Sequence, residues 1–519
     1  MIKNKIIGIL LFLFISSVSF AQTAQLDSLD AYFQRSLEMW QVPGMAIAIV
    51  KDDSLIFAKG YGVKNIKNKK DVVDANTLFP IASNTKAFTA AAMARLVDEG
   101  KLTWETKVVD ILPYFTLYDP YVTAHFTILD LLSHRSGLET FSGDLLWYGS
   151  TYSREDVVKK LPYLKQKYEF RTHFGYSNIM YIAAGEIIGK LSGKPWEQYI
   201  QDEFLTPLKM TNTLTSITQL DKKSNVVSPH NKVNDDVFPI EFMNWDNISG
   251  AGALISNVTD MSYWLRMQLH EGTYQEHQYF SAKQDLIMKT PQTNHTVSKG
   301  YQHYWPSTHF RSYGLGWGLS DMHGRKIVSH SGGYDGIITF SCLVPEENLA
   351  FVILTNSNSS LYAAMQNRIL DAFLAKDTTD WNKLYLPNQQ RRDKREQIVV
   401  DENAPKPTLD IEKYSGVYSD EAYGNVMISI KRGKLTLQML HTPILKGAIT
   451  SFAGDTMIVE FDKVPSLPQG KVYFYLSGDD VDHMIIDVPN PDFDFTEFTF
   501  MKMKGTENPD PKMTEEQKP

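Results

Sequence analysis

The chain has a single cysteine, Cys342, among 519 residues. It cannot close an internal disulfide, and it sits in an apolar, strand-like run from Ile337 to Val344. This reads as a buried structural thiol, not the partnered, exposed thiolate of a cysteine hydrolase. Histidine and cysteine do not cluster at metal-ligand spacing, and His270-Glu271 lacks the second histidine of a zinc helix. There is no phosphate-binding loop, and Gly250 to Gly252 is too short for a dinucleotide fingerprint. No metal and no cofactor are therefore expected. No Gly-x-Ser-x-Gly elbow is present, which argues against an α/β-hydrolase. Positive charge is not in excess. The formal net charge is −8, which argues against nucleic acid or an anionic membrane as the main partner. After residue 21 no stretch approaches the ~20 apolar residues of a spanning helix, so no membrane span is expected.

What is present is ordinary globular material, 43% hydrophobic and 22% charged, long enough for two or more domains. Residues 1–21 have the form of an export signal. Lys3 and Lys5 give a positive start, Ile6 to Phe14 an apolar stretch, and Ser19-Phe20-Ala21 a small-x-small cleavage site. No cysteine follows that site, so lipid attachment is not indicated. The expectation is an exported bacterial protein, periplasmic or extracellular.

Chemistry is first suggested at Ser83-Asn84-Thr85-Lys86. A strand-like stretch, Thr77 to Ala82, runs into it, and an apolar run, Ala87 to Val97, leaves it and ends at Glu99-Gly100. That run reads as a buried helix with a glycine stop. Ser83 then lies at a helix N-terminus, where free N–H groups favour negative charge. Lys86 shares its face three residues on. Burial lowers a lysine pKa and frees the amine to act as a base on the serine.

The rest of the chain frames this stretch. Leu26–Met39 reads as a helix, and Met45–Val50 with Leu55–Ala58 as a hairpin about Asp52-Asp53. Ile128 to Leu132 has helical spacing and runs into Ser133-His134, where the histidine is read as packing its own turn. Residues 139–170 are irregular and suited to the rim of a cleft. A second apolar helix spans Ile179–Leu191, and Asn257 with Asp260 caps a third. Residues 214–247 and 270–310 read as loops. Strands come next at Tyr313–Leu319, Lys326–Ser329, Ile337–Val344 and Leu349–Leu354, then a helix, Leu361–Leu374. The N- and C-terminal parts of this region can pair in one sheet covered by helices. Residues 376–406 are charged and read as a linker. From 407 to 504, short β-rich runs alternate with turns, as in a small barrel or sandwich. They include Met427–Ile430, Leu435–Met439 and Phe493–Phe500. Residues 505–519 are polar and read as disordered.

Two more local features fit one reaction. Tyr176-Ser177-Asn178 opens a helix after a glycine, which offers a proton relay and an amide near the serine. His330-Ser331-Gly332-Gly333 ends a strand, where small residues let a ligand approach the backbone. The N–H groups of Gly333 and Ser83 can form an oxyanion hole.

As a set, Ser-x-x-Lys, Tyr-x-Asn and His-x-Gly resemble the serine β-lactamase and penicillin-binding-protein superfamily. The branch most resembled is the class C-like group of β-lactamases, D-alanyl-D-alanine carboxypeptidases, D-aminopeptidases and esterases. The surroundings resemble it too: Pro43-Gly44-Met45-Ala46, Gly60-Tyr61-Gly62, Leu131 to Leu138, Gly250 to Leu254, and Tyr313 to Gly318. The resemblance covers about residues 25–375. Residues 407–504, with Tyr414-Ser415-Gly416-Val417-Tyr418, resemble the lipocalin-like β-barrel appended to some members.

The resemblance implies an α+β fold: an antiparallel sheet flanked by helices, a helical lobe, then a small all-β barrel. The implied division is a signal peptide 1–21, a hydrolase domain 22–375, a linker 376–406, a barrel 407–504 and a disordered tail 505–519. It implies an acyl-enzyme at Ser83, with Lys86 and Tyr176 handling the proton and Asn178, His330, Gly332 and Gly333 binding substrate. Efficient β-lactamases carry lysine where this chain has His330, and histidine there is more typical of esterase and peptidase members. The expected substrate is therefore a small peptide, with D-residues among the candidates, or an ester. A class C-type β-lactamase and a penicillin- or cell-wall-binding protein are the alternatives. The barrel is expected to modulate access or specificity rather than chemistry.

Overall fold

The computed structural model of the protein describes residues 23–375, 377–394, 398–399, 403–490 and 492–504. The expected signal segment, 1–21, and the expected tail, 505–519, lie outside these residues.

Alternation along two strands shows how the first domain is layered. In Gly44–Lys51, Ala46, Ala48 and Val50 face one core, while Met45, Ile47 and Ile49 face another. Leu349–Thr355 divides in the same way, with Ala350, Val352 and Leu354 on the first side and Leu349, Phe351 and Ile353 on the second. A strand buried on both faces reads as an unbroken apolar run, and these two do. They pair antiparallel in the interior of a nine-stranded sheet. Its order is Thr293–His295, Arg311–Tyr313, Gly318–Met322, Arg325–Tyr334, Ile337–Val344, Leu349–Thr355, Gly44–Lys51, Ser54–Asn65 and Asn68–Val72. One face carries the N-terminal helix (residues 23–40) and Leu361–Leu370. The other carries the helical lobe, with Thr85–Asp98, Asn178–Ser192 and Val258–Leu269. Cys342 is buried in the sheet, where desolvation pushes its thiol up.

A closed eight-stranded barrel comes after it, from Gly416–Asp420 to Phe500–Lys502, whose first and last strands pair. The fold is thus the α+β arrangement with an appended barrel. No helix among the described residues is long and apolar enough to cross a membrane.

Several stretches depart from the sequence reading: 270–310 holds helices Ala282–Met288 and Lys299–Tyr304 and short strands, Tyr313–Leu319 divides between two strands, and three further stretches differ. Of Thr77–Ala82, Phe79–Pro80 pairs with Ile255–Ser256 and Leu78 makes a single parallel bridge to Val226; the strand goes no further because Pro80 lacks a ladder donor and the chain turns sharply at Ala82. Within 376–406 lies a helix, Asn382–Asp393, docked on the first domain. There Trp40 Nε1 donates to Asn382 Oδ1 at 2.8 Å, and Trp381 and Tyr385 are buried. The aromatic run Phe493–Phe500 is mostly loop, and only Phe500–Lys502 joins the barrel.

Candidate active site

The turn that carries Ser83 is clamped on every side. Ala82, just before it, holds φ +46°, a left-handed conformation that L-residues adopt at a cost. Ser83 lies in a short turn, Ala82–Asn84, that leads into the buried helix Thr85–Asp98. Asn84 points into the sheet, where Nδ2 donates to Thr339 Oγ1 at 2.9 Å and Oδ1 accepts from Ser341 Oγ. Thr339 Oγ1 also donates to the Ile81 carbonyl at 2.9 Å. Thr85 Oγ1 accepts from the Leu254 N–H at 3.2 Å. Asn84 and Thr85 therefore fix the turn and leave Ser83, the one partly exposed residue of the four, facing out.

Lys86 is wholly buried. Its Nζ donates to Ser83 Oγ at 3.0 Å, to Asn178 Oδ1 at 2.6 Å and to the Ala251 carbonyl at 3.0 Å. Burial pushes its pKa down to about 7, and the charge of Asp144 resists this. Asp144 accepts from Asn178 Nδ2 at 2.6 Å. Burial pushes that carboxyl up to about 7, against its bonds to Trp147 and Asn178 and the charge of Lys86. Asp144 carries no motif. It is a lone acid before the apolar Leu145-Leu146-Trp147-Tyr148, and that contrast was its only sequence signal.

Tyr176 lies beside the serine, with its phenol in hydrogen-bond reach of Ser83 and its ring 4.8 Å from Lys86 Nζ. Desolvation raises its pKa well above the ordinary value, although the Ser83 bond opposes this. Tyr176 is therefore a neutral phenol at rest. His134, read as packing its own turn, forms the wall behind Tyr176, with ring centroids 4.4 Å apart. The Ser177 N–H donates to His134 Nδ1 at 3.1 Å, so the proton sits on Nε2, which has no acceptor. Burial and the nearby Lys86 charge hold this ring neutral.

His330, Gly332 and Gly333 reach the site along one strand, Arg325–Tyr334. His330 Nδ1 donates to the Ser331 carbonyl at 2.6 Å, which leaves Nε2 to accept from Tyr313 Oη at 2.9 Å. Burial and the charge of Lys86 pull the His330 pKa down to about 3. Gly332 packs on the serine turn, where a Cβ would lie 2.3 Å from the Ile81 carbonyl oxygen. Only glycine fits that approach. Gly333 is exposed. Among the described residues, the neighbouring strand Gly318–Met322 pairs no further along than Ser329, so residues 331–334 have a strand partner on one side only.

The structure thus brings all seven sequence-derived residues to one place and adds Asp144, His134 and Tyr313. No group of acidic, histidine or cysteine side chains suited to a metal occurs among the described residues.

Comparison with known proteins supports the fold and the family. The Beta-lactamase family model matches residues 29–375, and a model described as a domain of unknown function (DUF3471) matches residues 401–502. An unguisins hydrolase of Aspergillus campestris is 33% identical over 443 residues, 78% of each chain. Protein flp of Staphylococcus aureus strain MW2 is 28% identical over 342 residues, 64% of this chain and 63% of its own. The octameric penicillin-binding protein homologue from Pyrococcus abyssi shares the fold. Its TM-score is 0.59 at 21% identity, covering 92% of this chain and all of that one (100%).

Proposed function

The chain belongs to the β-lactamase family, a serine hydrolase at the level of that superfamily, and on that premise we propose that it hydrolyses an amide or ester through an acyl-enzyme at Ser83. The observation that carries this reading is the contact, at 3.0 Å, between Nζ of the fully buried Lys86 and Oγ of the partly exposed Ser83. Once neutral, Lys86 takes the serine proton as Oγ attacks the substrate carbonyl. The N–H groups of Ser83 and Gly333 hold the oxyanion. Tyr176 gives its phenol proton to the leaving amine or alcohol as the tetrahedral adduct collapses, and takes in its place the serine proton held on Lys86. Water then attacks the ester on Ser83, passing its proton through Tyr176 to Lys86, which returns it to Ser83 Oγ as the acid leaves. Asn178 holds Lys86 and orients the substrate, and Gly332 lets the strand lie close.

Small peptides, with D-residues among the candidates, and esters are the proposed substrates. The relative in Aspergillus campestris is named for hydrolysing unguisins, which supports a hydrolytic role. His330 disfavours a β-lactamase that depends on a cation to hold a substrate carboxylate, because the ring is neutral and already paired with Tyr313. We assign the protein to the exported class on the form of residues 1–21.

The test is labelling of the folded chain with a fluorophosphonate, followed by a screen of peptides, D-amino acid amides, esters and nitrocefin. Ser83→Ala is expected to abolish labelling and turnover. Tyr176→Phe is expected to cut turnover ~10²–10⁴-fold while the fold persists. Normal labelling of Ser83→Ala sinks the nucleophile assignment, and fast nitrocefin turnover overturns the substrate class.

A further inference from the structure

Several parts of the barrel touch the hydrolase domain: the Thr151 N–H donates to the His441 carbonyl at 2.8 Å, Tyr152 Oη to the Tyr423 carbonyl at 2.9 Å and Asn231 Nδ2 to the Pro465 carbonyl at 3.3 Å, and one further loop makes specific contacts beside Asp144. Residues 488–499 connect the last two barrel strands, Asp480–Asp487 and Phe500–Lys502. From this loop Glu497 reaches into the first domain. Its Oε1 accepts from Ser142 Oγ, and its Oε2 accepts from the Gly143 N–H at 2.7 Å. Phe493 packs on Tyr148, with centroids 4.3 Å apart. Gly143 holds φ +75° and would meet Leu164 and Ile179 with any side chain, so the backbone there is committed to presenting its N–H.

The segment so gripped holds both halves of the proposed proton network. The Phe141 N–H donates to the Tyr176 carbonyl at 2.8 Å. Asp144, one residue past Gly143, holds Asn178, which in turn holds Lys86 against Ser83. We infer that Glu497 is a positioning residue for catalysis, through which the C-terminal barrel sets the placement of Asp144 and Tyr176 about Lys86. This rests on the Ser83 reading above, and it gives the barrel a part in the chemistry as well as in access. Nothing in the Ser-x-x-Lys domain itself replaces the two acceptors that Glu497 supplies to Ser142 and Gly143. Groups that face Lys86 from the other elements are His134, His330, Tyr176 and Tyr181, all neutral at rest. Asp144 is therefore the charge whose displacement Lys86 would feel. Its carboxylate favours the protonated amine, so moving it away makes Lys86 easier to deprotonate.

Fluorophosphonate labelling rates of the full chain across pH test this, together with titration of the Lys86 ¹³Cε resonance, which does not depend on Ser83 reacting. Glu497→Ala is expected to slow labelling about tenfold, within the ~10²-fold that an ångström of misplacement can cost. It is also expected to move the half-maximal pH, and the Lys86 midpoint, downward. Glu497→Gln, which keeps one acceptor for Gly143 and can donate to Ser142, is expected to restore the rate to within about threefold of wild type. Ser142→Ala removes one bond only. Its expected effect is a smaller slowing in the same direction, and it serves if Glu497→Ala does not fold. An unshifted Lys86 midpoint and a wild-type rate in Glu497→Ala, or in Ser142→Ala in its place, overturn the inference. So does a Glu497→Gln variant as slow as Glu497→Ala at an unchanged melting temperature. If Ser83 is not labelled in wild type, the hydrolase reading fails, and the Lys86 midpoint alone decides whether Glu497 positions the network.

Discussion

A lysine in water keeps its proton to about pH 10.4, and a base must give it up. At Ser83 that conflict is resolved by burial, which brings Lys86 down to about 7. Below about 7 the amine is charged and cannot accept the serine proton; above it the amine is free. Acylation rate is expected to rise through a limb centred near pH 7, with Asp144 titrating as part of the same coupled pair. A flat rate between pH 5.5 and 8.5 in pre-steady-state labelling would remove Lys86 from the base role. His330 makes a second residue-scale prediction. With its pKa near 3, it carries no charge over that range. Two esters that differ by one carboxylate should therefore show a ratio of KM values that changes equally between pH 8 and pH 5 in wild type and in His330→Asn, because Lys86 and Asp144 are the groups that titrate there. A shift toward the carboxylate ester on acidification that the substitution removes would mean that His330 gains a proton and pairs with it.

At the scale of elements, the serine turn and the strand Arg325–Tyr334 are made for each other. Gly332→Ala places a methyl 2.3 Å from the Ile81 carbonyl oxygen and 2.5 Å from Thr339 Oγ1, both parts of the clamp. Overpacking of this kind costs about 1–3 kcal/mol. Urea melts should show that loss, with activity falling further than stability because strand and turn are driven apart. The elements themselves were largely legible. The apolar run after Lys86 forms the helix Thr85–Asp98, and the hairpin at Asp52-Asp53 forms as read, extended to Ser54–Asn65. Legibility stopped where tertiary context decided. Strands Thr293–His295 and Arg311–Tyr313 are three residues each, too short for a period, and they exist because a sheet edge was there to pair with. Phe493, Phe495, Phe498 and Phe500 looked like a strand because their spacing records burial. Phe493 is half-buried against Tyr148 of the other domain, however, and not within a ladder. Of the site, the motif residues could be seen, but Asp144 and Glu497 could not, since each acts through one partner brought from far along the chain.

At the scale of the molecule, the stretch read as a linker matters to the first domain. Helix Asn382–Asp393 closes the face that Trp40 and Ser36 line, with Asn382 Nδ2 donating to Ser36 Oγ at 2.8 Å. Two barrel-less chains can be compared, one ending at 394 and one at 380. The shorter is expected to be less stable by about 3 kcal/mol or more, because it loses the burial of Trp381 and Tyr385 and exposes what they cover. Equal urea midpoints would show that this helix belongs energetically to neither domain.

The central strand pair has a consequence for how the protein is made. Gly44–Lys51 emerges from the ribosome early, but its inner neighbour, Leu349–Thr355, is about three hundred residues behind. At translation rates of roughly 5–20 residues per second, the first hairpin waits on the order of tens of seconds with an apolar edge unpaired. In that interval the edge is a template for any other strand. The whole helical lobe, with Ser83 and Tyr176, must also be held as a closed excursion between the two strands. Nucleation is therefore expected to be late and non-local, and a chain halted before residue 355 should aggregate rather than fold.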